Sequence, residues 1–132
     1  MCSSDLATPA NNTANRCALY IDGTTKPTKL HDVNVIGFGG NAITVSDSGF
    51  VGLASIQCEN AFFKYNGAGI YFAEHGEYGV VNNCNFTDNY IGTFIQGGNN
   101  VVVGCVFGEN VYGIKLDGET ASATTAMVEV AV

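Results

Sequence analysis

Residues 82–92 read Asn82-Asn83-Cys84-Asn85-Phe86-Thr87-Asp88-Asn89-Tyr90-Ile91-Gly92, and inside them lies a pattern, Phe-x-x-Asn-x-x-Gly, that the chain writes three times. The other copies run from Phe63 through Asn66 to Gly69 and from Phe107 through Asn110 to Gly113. The register steps by 23 residues and then by 21. A period of that size marks one supersecondary unit stacked on copies of itself.

Each copy alternates apolar and polar residues on both sides of its Asn. Upstream lie Ala61/Phe63, Cys84/Phe86 and Cys105/Phe107; downstream lie Ile70/Phe72, Thr93/Ile95 and Ile114/Leu116. That is the period of a strand with one buried face. No apolar stripe survives at helical spacing. Two short strands with a corner between them, repeated every twenty-odd residues, predict an all-β coil of parallel strands, about 4.8 Å from turn to turn. Asn at the corner tolerates left-handed backbone, and Asn66, Asn89 and Asn110 can bond one another when stacked. The following Gly is expected to give the backbone freedom for a second bend. Residues 33–45 read as a degenerate earlier turn with shortened spacing after its Asn, and Met127–Val132 alternates again as the start of another.

The run Asn-Asn-Cys-x-Phe-x-x-Asn-x-x-Gly, with close seconds at 102–116 and 58–72, resembles the repeat of right-handed parallel β-helices of the pectate-lyase-like superfamily. The resemblance covers roughly residues 30–118 and implies a single-stranded right-handed solenoid of about five turns. That superfamily holds pectate lyases, polygalacturonase-like hydrolases, alginate epimerases, phage tailspikes and non-catalytic surface proteins, so membership selects no reaction. It implies a polysaccharide partner and an extracellular or virion-surface location.

The 132 residues divide on this reading into four parts. Residues 1–6 end in Cys2-Ser3-Ser4-Asp5-Leu6, the translation of a common sequencing-library adapter, and are expected to be non-biological. Residues 7–29 form a lead-in with an early strand, 30–118 the repeats, and 119–132 the start of a further turn in a gene expected to be truncated. The formal charge of −7, twelve acids against five scattered bases, leaves no basic patch for nucleic acid. No apolar run is long enough to cross a bilayer. Cys84 and Cys105 share a register and should stack inside as small hydrophobes, within disulfide reach. No CxxC or paired-His spacing points to a metal.

In a coil of this kind, chemistry belongs on outward side chains and on the loops. The register places Tyr71, Phe94 and Lys115 in one outward column, a candidate stacking platform for a sugar chain or a face covered by a loop, a neighbouring chain or another domain. The longest loop, residues 73–79, carries Glu74, His75 and Glu77, and Asp47 and Asp117 sit in equivalent loops. Glycosidases need two carboxylates roughly 5–10 Å apart, which makes Glu74, Glu77 and Asp47 the candidate catalytic groups and His75 a candidate substrate contact. No cofactor is called for, except that a lyase would use Ca²⁺ to neutralise substrate carboxylates. The paired-aspartate signature of the polygalacturonase-like hydrolases and the Arg-x-Pro-x-x-Arg motif of lyases are both missing. In His31-Asp32, Asp32 reads as a turn residue, with an acid–base pair as the alternative. The leading expectation is a β-helix segment that binds or degrades polysaccharide, by hydrolase or lyase chemistry if it is an enzyme. The other is a non-catalytic stalk or adhesin, in the form of a homotrimer.

Overall fold

The computed structural model describes residues 17–23, 26–46, 54–73, 75–117 and 127–129. Their strands are β1 (Leu19–Asp22), β2 (Thr28–His31), β3 (Asn34–Ile36), β4 (Asn41–Ser46), β5 (Ile56–Glu59), β6 (Phe62–Lys64), β7 (Ala68–Phe72), β8 (Val80–Asn82), β9 (Asn85–Thr87), β10 (Ile91–Ile95), β11 (Val101–Val103), β12 (Val106–Gly108), β13 (Tyr112–Leu116) and β14 (Met127–Glu129). They form three parallel sheets, β1-β4-β7-β10-β13, β2-β5-β8-β11-β14 and β3-β6-β9-β12. The chain is therefore an all-β parallel solenoid of four complete turns, flanked by β1 and β14, where the sequence suggested about five.

Each turn holds three strands rather than two. The strand missed by the alternation argument is the one in the second sheet, such as Val80–Asn82, too short to show a period. A single left-handed residue makes each of the two tight corners of a turn, from the second sheet to the third and from the third to the first. Asp32, Asn60, Asn83 and Gly104 turn the chain from the second sheet to the third, at φ 56, 53, 54 and 63°. Gly37, Tyr65, Asp88 and Glu109 turn it from the third to the first, at φ 83, 56, 54 and 56°. Asp32 is thus a turn residue, as read. Asn66, Asn89 and Asn110 are not the left-handed residues; each lies one position beyond, with Asn66 and Asn89 fully inside.

There the amides form a ladder. Asn66 Nδ2 donates to Asn89 Oδ1 at 3.0 Å, and Asn89 Nδ2 to Asn110 Oδ1 at 3.0 Å. Each Nδ2 also donates to a carbonyl of the turn before: Val35, Phe63 and Phe86 respectively. In the first turn Phe38 takes the ladder position, its backbone N–H donating to Asn66 Oδ1 at 3.0 Å. Asn34 instead pairs with Phe62 in the third sheet.

The repeat Phe lies in the core of the second, third and fourth turns, and Val35 takes its place in the first. Val35, Phe63, Phe86 and Phe107 are in register. The three rings stack at centroid spacings of 4.9 and 5.0 Å with planes 7° and 6° apart. Each such pair contributes about 0.5–1.5 kcal/mol beyond its buried area. Ile43, Val45, Ile56, Ile70, Phe72, Val81, Ile95 and Val102 complete the core. The repeat Gly makes room rather than a bend: a Cβ on Gly69 would meet Phe86 Cδ1 at 2.5 Å, and one on Gly92 would meet Gly113 O at 2.5 Å and Phe107 Cδ1 at 2.6 Å.

Candidate functional site

On the second sheet, Leu30, Cys58, Val81 and Val102 face the core, so their neighbours face out. One outward column runs Lys29, Gln57, Val80, Val101; the other runs His31, Glu59, Asn82, Val103. The second column is a connected polar strip. His31 Nδ1 lies 3.1 Å from Glu59 Oε2, and Asn82 Nδ2 donates to Glu59 Oε1 at 3.2 Å. Beside it on the adjoining corner, Asn83 Nδ2 donates to Asn60 Oδ1 at 2.6 Å on the surface. Half of the His31 side chain and 44% of that of Glu59 remain open to water. An ion pair so exposed contributes at most about 1 kcal/mol to stability. The strip is thus weakly accounted for by folding and well suited to meeting a polar ligand.

The opposite margin of this sheet is the loop that enters β8. Tyr78, left-handed at φ 57° and 56% exposed, stands two residues before the strand. β8 itself spans roughly 7 Å, so one ligand can touch both margins. The margin is firmly held. Asn100, fully buried, accepts from the Gly79 N–H at 2.8 Å and donates to Gly76 O at 2.9 Å. Ser55 Oγ donates to Tyr78 O at 2.8 Å. A Cβ on Gly97 would lie 2.3 Å from Gly76 O. Side chains carried on so tight a loop are pre-positioned rather than ordered on binding.

The column Tyr71, Phe94, Lys115 exists in the predicted register. Its rings, however, face each other: Tyr71 and Phe94 stack at 5.0 Å and 18°, and Lys115 Nζ lies 4.8 Å from the Phe94 centroid. Both faces of Phe94 are taken, and the residue is 6% exposed, packed with Ala68, Ile91 and Tyr90. Tyr71 Oη donates to Gln96 Oε1, and Lys115 Nζ is 3.7 Å from Asp117 Oδ2. A sugar would reach this column at ring edges and polar tips, without a free aromatic face at Phe94.

Residues 4–128 match the family described as "Right handed beta helix region". The chain belongs to that family. No curated protein and no solved structure matches it. Within this right-handed β-helix, Asp47 and Glu74 lie outside the described residues. His75 and Glu77 are half-buried in the loop that leads to Tyr78, with the Glu77 N–H donating to Ala54 O at 3.0 Å. Among the described residues no three His, Cys, Asp or Glu side chains converge to hold a metal ion.

Sequence reasoning missed Glu59, Asn82 and Tyr78. A signal was present for the first two: each precedes a left-handed Asn, as His31 precedes Asp32, and that shared offset puts all three in one column.

Proposed function

We propose that this β-helix binds polysaccharide along the outer face of its second sheet, between the His31–Glu59–Asn82 strip and the Glu77–Tyr78 loop. The observation that carries the reading is the strip itself. It offers a carboxylate, an imidazole and an amide, one per turn, hydrogen-bonded to each other and open to water. Sugar hydroxyls donate and accept at once, and such an array supplies both partners along a chain-like ligand. Tyr78 adds an exposed ring for a sugar face at the other margin. Two features support a carbohydrate over other polymers: the acidic charge disfavours nucleic acid, and the strip of His31, Glu59 and Asn82 is polar.

Should the chain also cut its ligand, His31 and Glu59 are the pair to act. A carboxylate on Nδ1 fixes the imidazole tautomer and leaves Nε2 for a substrate proton, as general acid–base work requires.

The test is a panel of neutral and acidic polysaccharides, with binding read by affinity electrophoresis, hydrolysis by reducing-end release and elimination by absorbance of unsaturated products. Binding of at least one polysaccharide, weakened about tenfold by Glu59→Gln or Asn82→Ala, is the expected result. If no polysaccharide is bound, the site reading fails and a non-catalytic stalk takes its place.

A further inference from the structure

Three cysteines stand on three successive turns inside the coil. Cys58 lies on β5, Cys84 at the entry to β9 and Cys105 at the entry to β12; all are free thiols. Cys84 Sγ lies 3.8 Å from Cys58 Sγ. The Cys84 N–H donates to Cys105 Sγ at 3.4 Å. Cys58 and Cys84 are buried, and Cys105 is half-buried at the edge of the cluster. Hydrophobic packing alone needs no such contact, since Ala61 fills the position equivalent to Cys84 one turn earlier. A sulfur pair at 3.8 Å needs under about 2 Å of closure to reach bonding distance.

We propose that Cys58 and Cys84 form a redox-sensitive staple between consecutive turns, with Cys105 as the thiol through which oxidation enters. The oxidant is a small-molecule disulfide such as oxidised glutathione. The Cys105 thiolate attacks one of its sulfurs and expels a thiolate, leaving a mixed disulfide. The Cys84 thiolate attacks the Cys105 sulfur and expels the second small thiolate, giving Cys84–Cys105. The Cys58 thiolate then attacks Cys84 Sγ, and Cys105 leaves as a thiolate that takes up a proton. In sum, two protein thiols are oxidised and one small disulfide is reduced to two thiols.

Burial keeps the reaction slow in the folded coil. Contact with Cys105 draws the Cys84 thiol down, but the hydrogen bond to Cys58 and desolvation outweigh it and push it up to about 12. Cys105 is raised too, first by its hydrogen bond to Cys84 and then by burial. The staple therefore sets most readily while the turns are closing.

The experiment refolds the whole chain in a glutathione redox buffer, alkylates free thiols and maps peptides. Cleavage after lysine and before aspartate puts Cys58, Cys84 and Cys105 on separate peptides, 47–64, 65–87 and 88–115. The expected result is 47–64 joined to 65–87, lighter by two hydrogens, with Cys105 alkylated. The oxidised chain should melt roughly 5 °C or more above the reduced one, and the gain should vanish with reductant. Cys105→Ser should give the same link at least about tenfold more slowly. A link elsewhere, or alkylation of both Cys58 and Cys84, would overturn the staple; an unchanged rate in Cys105→Ser would overturn the entry role. Cys84→Ser, checked for retained strand signal by circular dichroism, serves as the chain unable to form the link.

Discussion

Asn89 sits between Asn66 and Asn110 with its side chain fully engaged: Oδ1 accepts from both the backbone N–H and Nδ2 of Asn66, and Nδ2 donates to Asn110 Oδ1 and Phe63 O. The residue is 1% exposed, so water cannot replace any partner that is lost. Asn89→Ala strands the Asn66 N–H and the Phe63 carbonyl in the interior. Each buried group left unpaired costs about 1–3 kcal/mol, so the variant should lose about 3–5 kcal/mol in urea denaturation. Asn110→Ala, at the half-buried end of the ladder, should lose visibly less. Equal losses at the two positions would mean that the ladder does not carry this stability.

The glycines of the repeat make a sharper contrast because they share a motif but not a neighbourhood. A Cβ on Gly92 would sit 2.5 Å from Gly113 O and 2.6 Å from Phe107 Cδ1, while one on Gly113 meets nothing closer than 3.4 Å. Gly92→Ala must therefore move a backbone carbonyl and a stacked ring, with a loss of about 2–4 kcal/mol. Gly113→Ala should stay within about 1 kcal/mol of the parent. Thermal melts of the two variants decide it, and similar melting points would show that packing against the Phe stack is not what selects glycine.

The difference between what was and was not legible follows the same lines. Phe63, Phe86 and Phe107 announce the coil because a stacked core repeats its residue types at a fixed period, and the Asn ladder follows for the same reason. The three-strand turn was hidden because Val80–Asn82 and its equivalents are only three or four residues long and each is followed by a left-handed residue that alternation cannot see. The roles of Gly69 and Gly92 were misjudged because close approach of a ring one turn away is a tertiary fact. The strip was missed for a related reason: His31, Glu59 and Asn82 are 28 and 23 residues apart in sequence and become neighbours only once β2, β5 and β8 are aligned. The column of Tyr71, Phe94 and Lys115 was read in the right register, but periodicity is silent on whether outward rings face water or each other.

That last distinction yields a third prediction. Phe94 is held between Tyr71 and Lys115 and is 6% exposed. Phe94→Ala should cost about 3 kcal/mol or more through lost burial and stacking. Its effect on polysaccharide affinity, measured below the melting transition, should be under about twofold, against about tenfold for Glu59→Gln. Tyr78→Ala should do the reverse, weakening the ligand while leaving the melt within about 1 kcal/mol. If Phe94→Ala abolishes binding in a folded chain, the binding face lies on the first sheet and not the second.

The buried thiols predict how stability should vary with alkali. Cys84 titrates at about 12 in the fold against an ordinary 9.0, so the folded chain keeps its proton where the unfolded chain gives it up. Below about pH 9 both states are protonated and the stabilising contribution is complete. As pH rises toward about 12 the unfolded state is favoured progressively, and the loss is on the order of a few kcal/mol. Cys105, raised in the same direction, adds to the slope. Urea denaturation of the reduced parent and of Cys84→Ala should therefore show the parent ahead at about pH 8, with the gap closing by about pH 11 as the parent loses its thiol contribution. A gap that stays constant with pH would show that the Cys84 proton is no better held in the folded chain than in the unfolded one.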